Sequence, residues 1–175
     1  MRNLPTINLL INNNIYKHKF DFEVIKENTG MLNISLYNLP DEEDFKDINI
    51  EILCDNTSIF KGKAVSYNLE EAKGRMFVDI TATDDNSFSY EGVNFNGETK
   101  TAQHLIKVRT THGEDGFKYI QMASQFNAEL SVGDVINYNQ NLYAVESIIY
   151  TMDDDGFRQE IHSINQALHA AKYLG

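Results

Sequence analysis

From Tyr16 to Val24 every second position is apolar or amphipathic: Tyr16, His18, Phe20, Phe22 and Val24. That is the period of a strand with one face packed and the other in water. After a turn signal at Asn28-Thr29-Gly30 the alternation resumes, with Leu32, Ile34 and Leu36 set against Asn33, Ser35 and Tyr37. The two runs predict a hairpin. An earlier short strand ends at the Asn12-Asn13-Asn14 turn. Pro40 introduces Asp41-Glu42-Glu43-Asp44-Phe45, where a fixed first dihedral and four acids suit a short helical turn over 41–46. Period two then returns in Ile48, Ile50 and Ile52, followed by a loop at Asp55-Asn56 and a longer strand from Ile59 to Tyr67. Gly62 interrupts that strand, and the apolar phase shifts across it from Phe60 to Val65 and Tyr67, which predicts a bulge or a corner that another backbone approaches closely. Met76, Val78 and Ile80 form a further strand after a Lys73-Gly74 turn, closing a first block at about residue 83.

Residues 84–103 are polar, rich in Asn and Gly, and only sparsely apolar at Phe88, Tyr90, Val93 and Phe95, which reads as a connecting or mobile loop. The pattern restarts with His104, Ile106, Val108 and Thr110. Between 117 and 126 two periods compete, because Tyr119, Met122, Ala123 and Phe126 also satisfy helical spacing; a strand is preferred and a helix stays open. Hairpin signals follow at Asn139-Gln140-Asn141 and at Asp153-Asp154-Asp155-Gly156, on either side of Tyr143, Val145, Ser147 and Ile149. Ser163-Ile164-Asn165-Gln166 fits a capping box, so a short amphipathic helix is expected over 163–174 with Ile164, Leu168, Ala171 and Leu174 on one face. The chain therefore reads as mostly β and antiparallel, one or two small barrels or a sandwich. Its blocks are 1–83 and 104–175, joined through 84–103 into one compact unit.

Composition narrows the function. A formal charge of −11 over 175 residues repels phosphate backbones and anionic lipid, so no nucleic acid and no membrane surface is expected as a partner. The apolar cluster Leu9-Leu10-Ile11 falls far short of the roughly 20 residues a membrane helix needs. The single Cys54 allows no internal disulfide, and the first residues lack the pattern of a secretory signal, so cytoplasmic synthesis is the expectation. The sequons at Asn33 and Asn56 then carry no weight.

Each candidate for chemistry has a plainer reading. Aligned as a calcium loop on Gly156, the acidic turn places Thr151 at the first ligand position and His162 at the twelfth, so it fails at both ends and reads as a solvated hairpin. His18, His104, His112, His162 and His169 form no zinc motif, although His104 and His112 flank one strand. Lys61-Gly62-Lys63 lacks the rest of a phosphate loop. Cys54 has Asp55 beside it, which disfavours a thiolate. The acids at 41–44 read as a solvated face. No catalytic residue, metal site or cofactor is assigned.

The order of segments carries more. Leu32-Asn33-Ile34-Ser35-Leu36-Tyr37-Asn38-Leu39, an acidic turn, Ile48-Asn49-Ile50-Glu51-Ile52 and Ser58-Ile59-Phe60-Lys61-Gly62-Lys63-Ala64 follow one another. Later come Ser131-Val132-Gly133-Asp134-Val135-Ile136, Tyr143-Ala144-Val145-Glu146-Ser147-Ile148 and Gly156-Phe157. In order and spacing this resembles the hub proteins of phage tails and the related spike-hub proteins of type VI secretion and other contractile injection systems. The resemblance implies tandem β-barrel domains that form a trimer or larger ring, bind other tail or baseplate proteins, and end in a virion or phage-like particle. It implies a structural role with no enzyme activity, though full hubs are usually longer. The alternative is a β-barrel or sandwich that binds a small molecule or glycan in an aromatic pocket. A third reading is an enzyme built from scattered residues around His104 and His112.

Overall fold

The computed structural model describes residues 5–27, 29–39, 44–87, 93–101, 105–112, 118–124 and 130–174. Its strands are β1 (Ile7–Ile11), β2 (Asn14–Ile15), β3 (Phe20–Lys26), β4 (Thr29–Leu39), β5 (Asn49–Cys54), β6 (Thr57–Ala72) and β7 (Arg75–Ser87). They continue with β8 (Thr99–Lys100), β9 (Leu105–His112), β10 (Lys118–Ser124), β11 (Val135–Tyr138), β12 (Asn141–Asp153) and β13 (Gly156–Asn165). A single helical turn, α1 (Gln166–His169), runs into a π-helical turn over Ala170–Leu174. The protein is mostly β and antiparallel, as its alternation predicts; β8 beside β11 is a parallel pair. The described pairings leave the sheet open at its ends. No helix among the described residues is long and apolar enough to cross a membrane.

The chain divides into two compact units. Unit 1 takes residues 1–25, 29–87 and 150–157; unit 2 takes 26–28, 88–149 and 158–175. In unit 1 the strand order is β2-β1-β5-β6-β7-β4-β3, with the end of β12 beside β3. Its tight turns are built on paired residues at positive φ: Asn12-Asn13, Asp55-Asn56 and Lys73-Gly74. Asn, Asp and Gly tolerate that region best, and the resulting turn matches the twist of the flanking strands. Leu32, Ile34 and Leu36 of β4 are buried together with Ile50 and Ile52 of β5 and Ile80 of β7. Each such side chain contributes about 1.5–3 kcal/mol on burial.

The phase shift along β6 has two causes. The register slips between Ile52 and Leu53 of β5, which places Ile59 as an extra residue, and again between Ala64 and Ser66, which places Val65 as one. Ile59 and Phe60 are therefore both buried, whereas Val65 points to solvent.

In unit 2, β12, β13, β10 and β9 lie side by side, with β11 on β12. The ambiguous segment is a strand over Lys118–Ser124, paired with β13 and β9. Val93, Phe95, Val135, Ala144, Ile164 and Leu168 form a buried cluster. The segment read as a connection thus supplies Val93 and Phe95 to this core and the short strand β8; its Phe88 and Tyr90 lie outside the described residues.

Three local expectations change. Strand structure begins at Phe20, so Tyr16 and His18 precede it and His18 is exposed. Of the helical turn expected over 41–46, positions 41–43 lie outside the described residues, and Asp44–Asp47 make a tight turn in which the Asp44 carboxylate accepts from the Lys46 N–H (2.9 Å) and Asp47 takes a positive φ. The C-terminal helix starts later than 163: Ser163 and Ile164 complete β13, and Asn165 is the cap, its Oδ1 accepting from the Ala167 N–H (2.9 Å). Ladder pairing of Ile164 with Tyr119 outcompetes the capping box.

Candidate interaction surfaces

In unit 1 the alternation that buries Phe22, Ile34 and Ile80 turns their neighbours outward. Asn33 is paired with Thr81 and Ser35 with Asp79 across β4 and β7. With Asp21 and Glu23 of β3 and Thr151 and Asp153 of β12, they line a shallow concavity of about 300 Å³. Ser35 Oγ donates to Asp79 Oδ1 (2.6 Å) and Thr81 Oγ1 donates to Asn33 Oδ1 (3.3 Å). Tyr37 Oη donates to Asp21 Oδ2 (2.9 Å), and that bond, aided by burial, raises the Tyr37 phenol above its ordinary pKa. Lys19 lies over the Tyr37 ring at 5.0 Å and pairs with Asp154 at 2.9 Å, whose hydrogen bond and charge raise its pKa. The face is a set of carboxylates and hydroxyls suited to receiving cationic side chains.

Unit 2 presents the opposite character on β9, β10 and β13. Arg109 lies across from Gln121 and Lys107 across from Ala123, while Gln121 and Ala123 are paired in turn with His162 and Glu160. Lys107, Arg109, Gln121, Ala123 and Glu160 line a concavity of about 270 Å³. His162 Nε2 lies 3.6 Å from Glu160 Oε2.

The residues weighed for chemistry fall elsewhere. Cys54 is fully buried, and burial, followed by the charge of Asp55, pushes its thiol up to about 12, which makes it a core residue rather than a nucleophile. His104 lies outside the described residues; His112 is exposed at the end of β9. His169 is buried with its ring 5.1 Å from that of Phe95. Lys61, Gly62 and Lys63 sit in the middle of β6. In the acidic hairpin the Asp153 carboxylate accepts from the Asp155 N–H (2.9 Å), and Gly156 takes φ 105°. Among the described residues no group of three or more His, Cys, Asp or Glu side chains stands close enough to hold a metal ion. Sequence reasoning missed both charged faces. Their signal was present as Asp21-x-Glu23 and Lys107-x-Arg109, charges at the spacing that puts two side chains on one side of a strand.

No protein-family model matches the sequence, and no characterised protein matches it at the level of sequence. Solved structures do match. A tail protein from Neisseria meningitidis superposes with a TM-score of 0.73 at 5% identity, over 97% of this chain and 99% of that one. The 43 kDa tail protein of prophage MuSo2 from Shewanella oneidensis gives 0.69 at 7% identity, over 94% and 98%. A type VI secretion component of E. coli, itself similar to the tail proteins gp27 and gp5 of bacteriophage T4, gives 0.57 at 6% identity, over 96% and 76%. Over almost its whole length, the chain has the fold of these phage tail and type VI secretion proteins.

Proposed function

We propose that this chain is a structural component of a phage-tail-like or contractile injection assembly, of hub or baseplate type. It acts through interfaces with other tail proteins and with copies of itself, is made in the cytoplasm, and ends in a virion or phage-like particle. The observation that carries this reading is the two-way coverage with the Neisseria tail protein: 97% of one chain on 99% of the other shares the path of both units, not one common motif. A fold hosts many functions, so the surfaces must agree with the role. Two charged concavities lie on sheet faces, and charge of complementary sign steers and selects protein partners. The reading is of a non-enzyme, consistent with a Cys54 thiol held far from reactivity.

The test is the solution mass of the purified chain by light scattering coupled to size exclusion across a dilution series. A trimer or larger ring of fixed stoichiometry is the expected result. A monomer at every concentration overturns self-assembly as part of the role.

A further inference from the structure

The charge of the chain is divided unevenly between its units. Unit 1 holds 17 of the 26 Asp and Glu residues and 8 of the 15 Lys and Arg, a formal −9; unit 2 holds 9 acids and 7 bases, a formal −2. Two copies therefore repel most strongly unit 1 to unit 1. The arrangement of lowest Coulomb cost brings unit 1 of one copy to whatever part of unit 2 is locally positive.

Strand β9 is such a part. Leu105–His112 contains no carboxylate, and Lys107 and Arg109 project from it to one face. Among the described residues neither is ion-paired, whereas Lys19 and Lys100 are engaged by Asp154 and Asp134 at 2.9 and 2.8 Å. β9 ends the strand order, with β10 as its neighbour among the described strands. Its ladder is broken between Ala123 and Ser124 by the extra residue Ile106. Charged side chains and a bulge on an end strand oppose the addition of another strand to the edge, which leaves the face for contact. Ile106, 58% exposed, adds an apolar contact to the same strand.

We infer that the Lys107 and Arg109 row on β9 docks a second copy of this chain, through the outer face of that copy's unit 1 where Asp21, Glu23, Asp79 and Asp153 line one concavity. The inference rests on the self-assembling structural role and specifies its interface. Such a contact joins two different surfaces, so an open assembly always keeps one free basic row at one end and one free acidic face at the other, and it closes into a ring where the rotation between successive copies allows.

The experiment compares wild-type chain with two charge-reversal variants and one neutral control by light scattering at about 50 mM and about 500 mM salt, a range over which surface charges become screened. One variant carries Lys107→Glu with Arg109→Glu; the other carries Asp21→Lys with Glu23→Lys. Lys107→Gln with Arg109→Gln removes the charge without reversing it, and circular dichroism checks that each variant keeps the wild-type β signature. Wild-type association is expected to weaken with salt, each reversal to weaken it by about tenfold or more at low salt, and an equimolar mixture of the two reversals to recover it. Wild-type stoichiometry and affinity in the Lys107 and Arg109 variants overturn the interface and leave the assembly role standing. Weakening by both reversals without recovery on mixing overturns the pairing of these two faces. A wild-type chain that stays monomeric at low salt overturns the interface and self-assembly together.

Discussion

Gly62 lies so close to Thr83 that a β-carbon added to it would overlap the Thr83 carbonyl oxygen. The crowding comes from the ladder itself, which pairs Gly62 with Asp84 and Lys63 with Thr83 between two register slips in β6. Gly62→Ala should destabilise the protein at the upper end of the about 1–3 kcal/mol typical of overpacking. Gly74 makes a useful contrast: it sits at φ 73° with open space around it, so Gly74→Ala meets only the strain of a left-handed backbone, about 1 kcal/mol. Urea unfolding of both variants checks this, and a Gly62→Ala protein as stable as Gly74→Ala would refute the close approach.

The Cys54 thiol gives stability a dependence on alkaline pH. Its folded pKa is pushed up to about 12, above the ordinary thiol value, so the unfolded chain releases the proton first. Its contribution is complete below about pH 9 and is lost as pH rises towards 12, at up to about 1.4 kcal/mol per pH unit. The buried Tyr150 phenol, also raised, adds to the same decline above its ordinary value of 10. Urea midpoints should therefore fall between pH 8 and pH 11, with Cys54→Val showing a shallower fall between 9 and 10. Identical slopes in the two proteins would exclude Cys54 as the source.

Lys19 and Asp154 form an ion pair on the open surface. Their side chains are 53% and 83% exposed, and water screens a pair at 2.9 Å under those conditions. Asp154→Asn should leave stability indistinguishable from that of the wild type. A chemical denaturation curve clearly displaced from that of the wild type would give the pair a structural weight that its exposure denies.

Much of the fold was legible because one physical rule dominates it. Leu32, Ile34 and Leu36 alternate in the sequence and are buried in the structure, and the turns at Asn12-Asn13 and Asp55-Asn56 carry the residue types that tolerate positive φ, as does Gly74 beside Lys73. Where the rule has exceptions, pattern alone was insufficient. Ile106 looked like an inward residue and is exposed, because a bulge near the end of the sheet takes it out of phase. Tyr143, Ala144 and Val145 are all buried in succession, since β12 is covered on both faces along this stretch. The hairpin of β12 and β13 contributes its end, residues 150–157, to unit 1 and its stem to unit 2, a division that no composition shift marks. Charged faces escaped notice because Lys107 and Arg109 become neighbours of Glu160 only when β9, β10 and β13 are in register.

Phe95 shows how a polar segment can conceal a core residue. Asn94, Asn96 and Gly97 surround it, yet it is 8% exposed and packs with Val93, Ile164 and Leu168, its ring edge-on to buried His169. The segment is tied locally: the Asn94 carboxamide oxygen accepts from the Asn96 N–H at 2.9 Å, which holds the turn that directs Phe95 inward. Phe95→Ala removes a ring from a packed cluster and should cost about 3–5 kcal/mol. Leu168→Ala, which opens the same cluster from the helical turn, should cost about 2–5 kcal/mol. Because the two side chains share one cavity, the double variant should cost less than the sum, by about 0.5 kcal/mol or more. Equilibrium unfolding of the three variants decides the matter. A Phe95→Ala cost below about 1 kcal/mol, the level of an average substitution, would return residues 93–97 to the status of a surface connection.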